Sequence, residues 1–301
     1  MTRPDATLEP RREQLTTPDG RSLDVWQAGP PDADPLFFHL GTPGAGLPFG
    51  WHVRNLADRG LRYVSASRPG YGDSTRREGR SVADVVEDTR TVLDRLGADK
   101  AWILGWSGGG PHALACAALM PDRVRGTALI ASVAPYPAEG LDYLAGMGAE
   151  NVEEFSAALA GPEALIPFKE RARPRFLDIT PGEVSGAFGD LVDDVDRASV
   201  TGELAEYLAA LFHEALRTSY WGWFDDDMAF VKPWGFDVAS IAAPVHVWQG
   251  AHDRMVPYGH GEWLVQHLGN ARSHLLADQG HLTLIVDSFP QIVDAMLAEG
   301  A

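Results

Sequence analysis

The sequence predicts an α/β fold, with a mostly parallel central sheet flanked by helices and a helical segment inserted between two strands. Short apolar runs of strand type alternate with helical patterns up to about residue 134 and again from about residue 241, an order typical of parallel sheets with right-handed crossovers. Between about residues 140 and 235 no convincing strand pattern occurs. We therefore expect a core formed by residues 1–134 and 241–301 and a helical cap formed by residues 135–240.

The N-terminal part begins with a predicted hairpin. Polar and apolar residues alternate from Arg21 to Ala28, which favours an exposed strand, and the turn signal Thr17-Pro18-Asp19-Gly20 precedes it. Further strands are expected at 36–40, 61–66, 101–104 and 124–132, and helices at 51–59, 82–96 and 111–120.

In the second part, helical patterns are expected at 151–160, 162–171, 181–188 and 201–218. Strands at 245–250 and 271–276 then resume the sheet, with helices at 258–268 and 288–298. The helix patterns rest on apolar residues recurring every three to four positions and the strands on short apolar runs.

Composition narrows the classes of function. The net charge of −17 argues against binding a nucleic-acid backbone, which requires a basic face. The single cysteine, Cys116, excludes an internal disulfide and is expected to be a small buried residue. Residues 1–10 contain no apolar signal core and no apolar run reaches the length of a membrane span, so we expect a cytoplasmic protein without a membrane partner.

The stretch from Ala101 to Gly110 has the pattern of a strand, a tight turn and a helix, with a serine in the turn. A serine at such a turn has a strained backbone, and the residues two before and two after it must be small. Gly105 and Gly109 meet this requirement around Ser107. The turn places the hydroxyl at a helix N-terminus, where N–H groups favour developing negative charge. Ser107 is therefore the candidate nucleophile.

The loop Gly41-Thr42-Pro43-Gly44-Ala45-Gly46 follows a strand expected in the middle of the sheet. Its glycines allow the backbone to approach a ligand closely and to direct N–H groups at it. Pro43 has no N–H, so the Thr42 N–H is the expected oxyanion donor of this loop.

A serine needs a base to take its proton, and the base needs a third group to orient it. Asp253 follows the strand 245–250 and His281 follows the strand 271–276, so both are expected at the C-terminal edge of the sheet, where ligands bind. Asp278 is the alternative acid, and the run Asp225-Asp226-Asp227 is a more distant one. That run is interpreted as a solvated loop or helix start rather than a metal site.

Together these motifs resemble the α/β-hydrolase family over nearly the full chain. The matching pieces occur in the family's order: Gly41 to Gly44, Arg68 to Ser74, Gly105 to Gly109, Gly250 to Pro257, and Gly280-His281. The resemblance implies that Ser107 is the nucleophile, His281 the general base and acid, and Asp253 its orienting group. It also implies an oxyanion hole from the N–H groups of Gly108 and Thr42, and no metal or organic cofactor.

The leading functional hypothesis is a serine hydrolase for a carboxylic ester, a thioester or a small amide with a small, moderately hydrophobic acyl group. The alternatives are an aminopeptidase similar to the proline iminopeptidases, and a ligand-binding protein or lyase that retains the fold. Aromatic residues near the end of the cap either line the substrate site or form the cap's own core. The candidate substrate-binding residues are Gly41, Trp106, Trp221, Trp223 and Phe224.

Overall fold

A computed structural model describes residues 7–299. The strands of this part of the chain form one eight-stranded sheet. The strands are β1 (Arg11–Thr16), β2 (Ser22–Ala28), β3 (Asp34–His39), β4 (Leu61–Ala66), β5 (Ala101–Trp106), β6 (Val124–Ile130), β7 (Val245–Gly250) and β8 (Ala271–Leu276). Their order across the sheet is β1-β2-β4-β3-β5-β6-β7-β8.

The helices of the core are α1 (Gly50–Ala57), α2 (Val85–Arg95) and α3 (Gly110–Leu119). Those between β6 and β7 are α4 (Ala149–Ala160), α5 (Pro162–Leu177), α6 (Pro181–Ala187), α7 (Asp194–Ser199), α8 (Gly202–Leu216) and α9 (Trp221–Phe230). After β7 come α10 (Tyr258–His267), α11 (Thr283–Val286) and α12 (Phe289–Glu299). We call residues 131–244, between β6 and β7, the insert.

The sheet is antiparallel only at one end. β2 pairs antiparallel with β1 and β4, and every other neighbouring pair is parallel. The parallel strands β5 and β7 are entirely buried, as are the last four residues of β6, as expected for strands covered on both faces. Because parallel strands end at the same edge, the loops after β3, β5, β7 and β8 meet there. The predicted fold class is confirmed.

The second arm of the N-terminal hairpin differs from the prediction. β2 lies between β1 and β4, so it is mostly buried rather than exposed. Its polar Asp24 is fully buried and accepts hydrogen bonds from Arg12 at 2.6 Å and from Ser67 at 2.9 Å. One polar residue of the alternating pattern, Asp24, is therefore buried and paired with Arg12 of β1. β1 is the edge strand.

The turn after β5 has the backbone strain that the sequence predicts. Ser107 has φ +55°, in the left-handed region that a residue with a side chain rarely adopts. At Gly105 and Gly109, on either side of Ser107, there is no room for a side chain. A Cβ on Gly105 would lie 2.5 Å from the Gly109 carbonyl oxygen, and one on Gly109 would collide with the His39 carbonyl oxygen. Strain of this kind persists only where the surrounding structure fixes the backbone.

We therefore expect Gly109→Ala to destabilise the protein by about 3 kcal/mol or more, because a backbone carbonyl cannot move aside as a flexible side chain can. The measurement is the free energy of unfolding from urea titration. The matched control is Gly182→Ala on α6, where a Cβ would meet nothing within 4 Å. A stability for Gly109→Ala equal to that of the control would contradict this reading of the turn.

The insert contains the four helices expected there and two that were not predicted, α7 and α9. The predicted domain limits at 134/135 and 240/241 lie in the segments that join its helices to β6 and β7, and they stay a prediction. Residues 1–6, on which part of the signal-sequence argument depends, are outside the described residues. No helix between residues 7 and 299 is long and apolar enough to cross a membrane.

Candidate active site

Asp253 is fixed in the loop after β7 by four hydrogen bonds. Its Oδ1 accepts the N–H groups of Met255 at 2.9 Å and Val256 at 2.8 Å. Its Oδ2 accepts from the Gln249 side-chain amide at 3.0 Å and faces the His281 Nδ1 at 2.8 Å. The carboxylate is buried, so its orientation toward the imidazole is set by the fold.

His281 lies in the loop after β8 with its ring almost wholly buried. Because an ionised Asp253 can only accept, the proton of the neutral imidazole is on Nδ1, which leaves Nε2 as an acceptor. Burial opposes the charged ring, but the nearby carboxylates of Asp253 and Asp196 outweigh it and raise the pKa of His281 above 6.5.

Ser107 is half-buried, and it lines the same cavity as His281. Among the hydrogen bonds of residues 7–299 none joins the Ser107 hydroxyl to the imidazole. A long nucleophile–base contact is common in unliganded enzymes and shortens when substrate binds. Trp106 packs beside the imidazole, with 5.5 Å between the ring centroids. The structure thus brings Asp253 and His281 into contact and Ser107 into their shared cavity.

The loop after β3 lies directly against the Ser107 turn. A Cβ on Gly41 would stand 3.3 Å from the Ser107 Cβ, and one on Gly108 would collide with the Thr42 side chain. The two expected oxyanion residues, Thr42 and Gly108, are therefore neighbours beside the serine. The Thr42 hydroxyl donates to Asp226 at 2.7 Å, which ties this loop to α9.

The interpretation of Asp225-Asp226-Asp227 as a solvated segment is wrong. All three carboxylates lie in α9 and are at most 2% exposed. Asp225 pairs with Arg76 at 2.8 Å, Asp226 with Arg68 and Arg80 at 2.6 Å each, and Asp227 with Lys169. Successive helical residues point about 100° apart, so the three carboxylates reach different partners.

Asp226 is the centre of the largest of these groups. Its carboxylate also accepts from the Tyr71 hydroxyl at 2.9 Å, while Arg68 donates to the carbonyl oxygens of Leu40 and Gly41. Burial opposes ionisation, but the two arginines and His112 hold the pKa of Asp226 well below its usual range. The insert therefore supports the backbone of the expected oxyanion loop through a buried carboxylate.

A cavity of about 100 Å³ opens between the sheet edge and the insert. The helix α9 presents one face to it. Trp223, Asp227 and Phe230, spaced by four and three residues, line the cavity. Trp221 and Phe224 do not line it, and Trp221 packs under the Arg76 guanidinium at 3.9 Å, so their contact with substrate stays a prediction. The other apolar lining residues are Trp106, Val133, Phe155, Phe176, Phe188, Leu191, Leu208, Leu211, Phe212, Met255, Val256 and Leu282.

One wall of the cavity is acidic. Glu150, Glu154 and Asp227 line it, and the buried Lys169 lies between the last two. The Lys169 ammonium contacts Glu154 at 2.5 Å, and the Trp223 indole N–H donates to the same carboxylate at 2.6 Å. Burial and the neighbouring Glu154 raise the pKa of Asp227 well above its ordinary value. Glu150 pairs with the exposed Arg175 at 3.1 Å, so the three carboxyl groups of the wall have two cationic partners.

Other candidate groups have different partners. His112 faces Asp226 at 3.5 Å, and His252 contacts Asp193 at 2.5 Å. Asp278 is exposed and does not line the cavity. Cys116 is buried beside His39, and burial raises the pKa of its thiol to about 12. Of the acids considered for the orienting role, Asp253 is the one that contacts His281.

Comparisons with known proteins agree with this architecture. A family model described as the α/β hydrolase fold matches residues 34–169. The 2-hydroxymuconate semialdehyde hydrolase of Pseudomonas putida is 28% identical over 242 residues, which is 79% of this chain and 77% of the relative. The epoxide hydrolase B of Mycobacterium tuberculosis is 32% identical over 150 residues, 48% of this chain and 42% of the relative.

The structural similarity extends over nearly the whole chain. The enol-lactonase from Burkholderia xenovorans LB400 superposes with a TM-score of 0.69 and 19% identity, covering 95% of this chain and 100% of that one. Residues 34–169 therefore match the α/β-hydrolase family, and the chain as a whole has the α/β-hydrolase fold. The relatives that it matches over most of its length include hydrolases, which supports hydrolase activity for this protein.

Proposed function

We propose that the protein is a serine hydrolase that cleaves a carboxylic ester, a thioester or a small amide through an acyl-enzyme on Ser107. The observation that carries the proposal is the hydrogen bond from His281 to a fully anchored Asp253, with Ser107 on a strained turn in the same cavity. An oriented base beside a serine is the arrangement that activates its hydroxyl.

In the proposed reaction the Ser107 Oγ attacks the substrate carbonyl carbon while His281 Nε2 takes its proton. The N–H groups of Thr42 and Gly108 stabilise the oxyanion, and one such donor contributes about 3 kcal/mol in a comparable protease. His281 then gives its proton to the leaving group as the carbonyl–oxygen, –sulfur or –nitrogen bond breaks. Water, deprotonated by the same imidazole, attacks the acyl-enzyme and frees the acid and Ser107.

The cavity supports a small and largely apolar acyl group. Its volume of about 100 Å³ is below the roughly 150 Å³ of an engineered cavity that binds benzene. Lys169, the buried cation of its wall, is already paired with Glu154 and Asp227, so it is not free to bind an anionic acyl group. The substrate that we propose therefore differs from the semialdehyde acid in the name of the Pseudomonas putida relative.

Fluorophosphonate labelling followed by intact-protein mass measurement tests the nucleophile. The wild type is expected to gain one adduct and Ser107→Ala none, because the reagent reacts only with an activated hydroxyl. Ser185→Ala, a serine of α6 outside the cavity, is the matched control and should label as the wild type does. Labelling that survives in Ser107→Ala would overturn the proposal.

The pH dependence follows from the environment of His281. Only the neutral imidazole can accept the serine proton, and its pKa is raised above 6.5 by Asp253 and Asp196 against the opposing effect of burial. We expect kcat/KM for a chromogenic ester to fall as pH drops through a value above 6.5 and to level off on the alkaline side. A half-maximal point below 6.5 would contradict the assigned environment.

The acidic wall favours a second candidate, an aminopeptidase of the proline-iminopeptidase type. Glu154 and Asp227 share the buried Lys169. Glu150, in contrast, lines the same cavity as Ser107 and pairs with the exposed Arg175, so Glu150 is the carboxyl group that could hold a substrate ammonium. A chromogenic acyl-ester series compared with a prolyl amide divides the two functions. If the protein preferred the prolyl amide and Glu150→Gln abolished that preference, the aminopeptidase would replace the esterase as the proposed function. Binding of either substrate without turnover would instead favour a ligand-binding or lyase role.

A further inference from the structure

A carboxylate of the insert, that of Asp196 on α7, holds the backbone that carries His281. Its Oδ2 accepts the His281 N–H at 2.7 Å. Its Oδ1 accepts the N–H groups of Leu282 at 2.8 Å and Thr283 at 3.0 Å. Asp196 is fully buried, and it forms none of the ion pairs found among residues 7–299. All its strong hydrogen bonds therefore go to this one turn.

The turn is shaped to receive this carboxylate. A Cβ on Gly280 would collide with the Asp196 carboxyl group, so the glycine before His281 leaves room for it. The Gly280 N–H donates to the Thr283 hydroxyl at 2.7 Å, which closes the turn around the carboxylate. The glycine is thus required by Asp196, a residue from a distant part of the sequence.

The helix α7 is also anchored to the loop that carries Asp253. Asp193 caps α7 by accepting the Val195 N–H at 2.9 Å, and its other oxygen contacts His252 at 2.5 Å. His252 precedes Asp253 in the chain. One short helix of the insert therefore contacts the loops of both proposed charge partners.

Asp196 also contributes charge at the imidazole. The titratable groups that act on His281 are Asp253, from the loop after β7, and Asp196, from the insert. Burial raises the pKa of Asp196, and its bonds to the Thr283 and Leu282 N–H groups oppose that rise. In its ionised form it adds to the field of Asp253 and favours the imidazolium.

We propose that Asp196 is a positioning residue for His281, through which the insert sets the place and the charge environment of the general base. The proposal rests on the proposed function, in which His281 moves the serine proton. A general base must be held close to its working geometry, since a displacement of about 1 Å can reduce a rate by about 10²-fold.

The test is Asp196→Asn, with Asp194→Asn as the matched control. An amide replaces one acceptor oxygen by a donor, which must then face the N–H of His281 or those of Leu282 and Thr283. Asp194 is an exposed residue of the same helix, so its substitution makes the same chemical change without that contact.

For Asp196→Asn we expect kcat to fall by about 10²-fold, with KM changed far less because the carboxylate does not line the cavity. The acid limb of the kcat/KM profile should move to lower pH, as should the His281 titration followed by NMR. Asp194→Asn should match the wild type in all three. Asp196→Glu keeps the charge, so its acid limb should stay near that of the wild type; it also serves if the Asn variant does not fold.

Wild-type kcat and pH profile in Asp196→Asn would overturn the proposal. A fall in stability with an unshifted His281 titration would also overturn it, because Asp196 would then be structural only. The proposal would also be overturned if the acid limb of the kcat/KM profile of Asp196→Glu moved to lower pH. The NMR titration does not depend on turnover. If Ser107→Ala keeps full activity, the proposed function fails while the effect of Asp196 on His281 is still measured.

Discussion

Replacing Asp253 by Asn should lower kcat by about 10⁴-fold, the size of loss seen when the orienting acid of a serine protease is made an amide. Asp253 uses both oxygens as acceptors, from two backbone N–H groups on one side and from Gln249 and His281 on the other. An amide can satisfy only one side. With its NH₂ toward the imidazole, the ring proton moves to Nε2, which then cannot accept the Ser107 proton.

The measurement is kcat for a chromogenic ester together with the free energy of unfolding. Asp278→Asn is the control, since Asp278 is an exposed acid in the loop before His281 and was the alternative acid in the sequence. It should retain wild-type kcat. The proposed role fails if Asp253→Asn stays within tenfold of the wild type, or if Asp278→Asn shows the larger loss.

Asp226→Ala should cost about 3–5 kcal/mol of stability, because it leaves two buried cations without their anion. The Arg68 and Arg80 side chains are each 3% exposed, so water cannot replace the missing carboxylate. The Asp226 pKa is held well below its usual range. Its contribution to stability is therefore complete above the pKa of the unfolded chain, and is lost as pH falls below that toward the folded value.

Urea unfolding measures this cost, and Asp225→Ala on the same helix is the comparison. The partner of Asp225, Arg76, is 25% exposed and can be solvated when the carboxylate is removed. We expect the Asp225 substitution to cost clearly less. An equal cost would mean that burial of the partner cation does not decide the effect. Asp226→Ala should also slow turnover, since the Thr42 hydroxyl loses its acceptor.

The sheet was predictable because its strands are short apolar runs between clear helical patterns. β4, β7 and β8 begin and end where the sequence indicates, and β5 begins where it indicates but extends two residues into the predicted turn. Likewise, Ser107, Asp253 and His281 could be placed at one edge from topology alone, because each follows a strand and parallel strands share an edge. Local pattern and chain order were sufficient for these features.

The polar contacts of the insert were not predictable in the same way. A run of three aspartates shows its charge in the sequence but not its partners, and Arg68 is 158 residues away from Asp226. The helix α7 has only six residues, too few to show a periodic apolar face. Asp193 at its start is a good N-cap and was the one local signal for it. If α9 had been predicted as a helix, the helical spacing would have placed Trp223 on a different face from Trp221 and Phe224.

The three consecutive aspartates of α9 also limit how the insert can be exchanged between relatives. Asp227 has its partner inside the insert, whereas Asp225 and Asp226 find theirs on Arg76, Arg68 and Arg80, in the loop between β4 and α2. A chimera that receives this insert without those arginines would bury two unpaired carboxylates. The transferable unit for engineering substrate preference is therefore the insert together with residues 68–80, two segments that are distant in sequence but joined by buried ion pairs and hydrogen bonds.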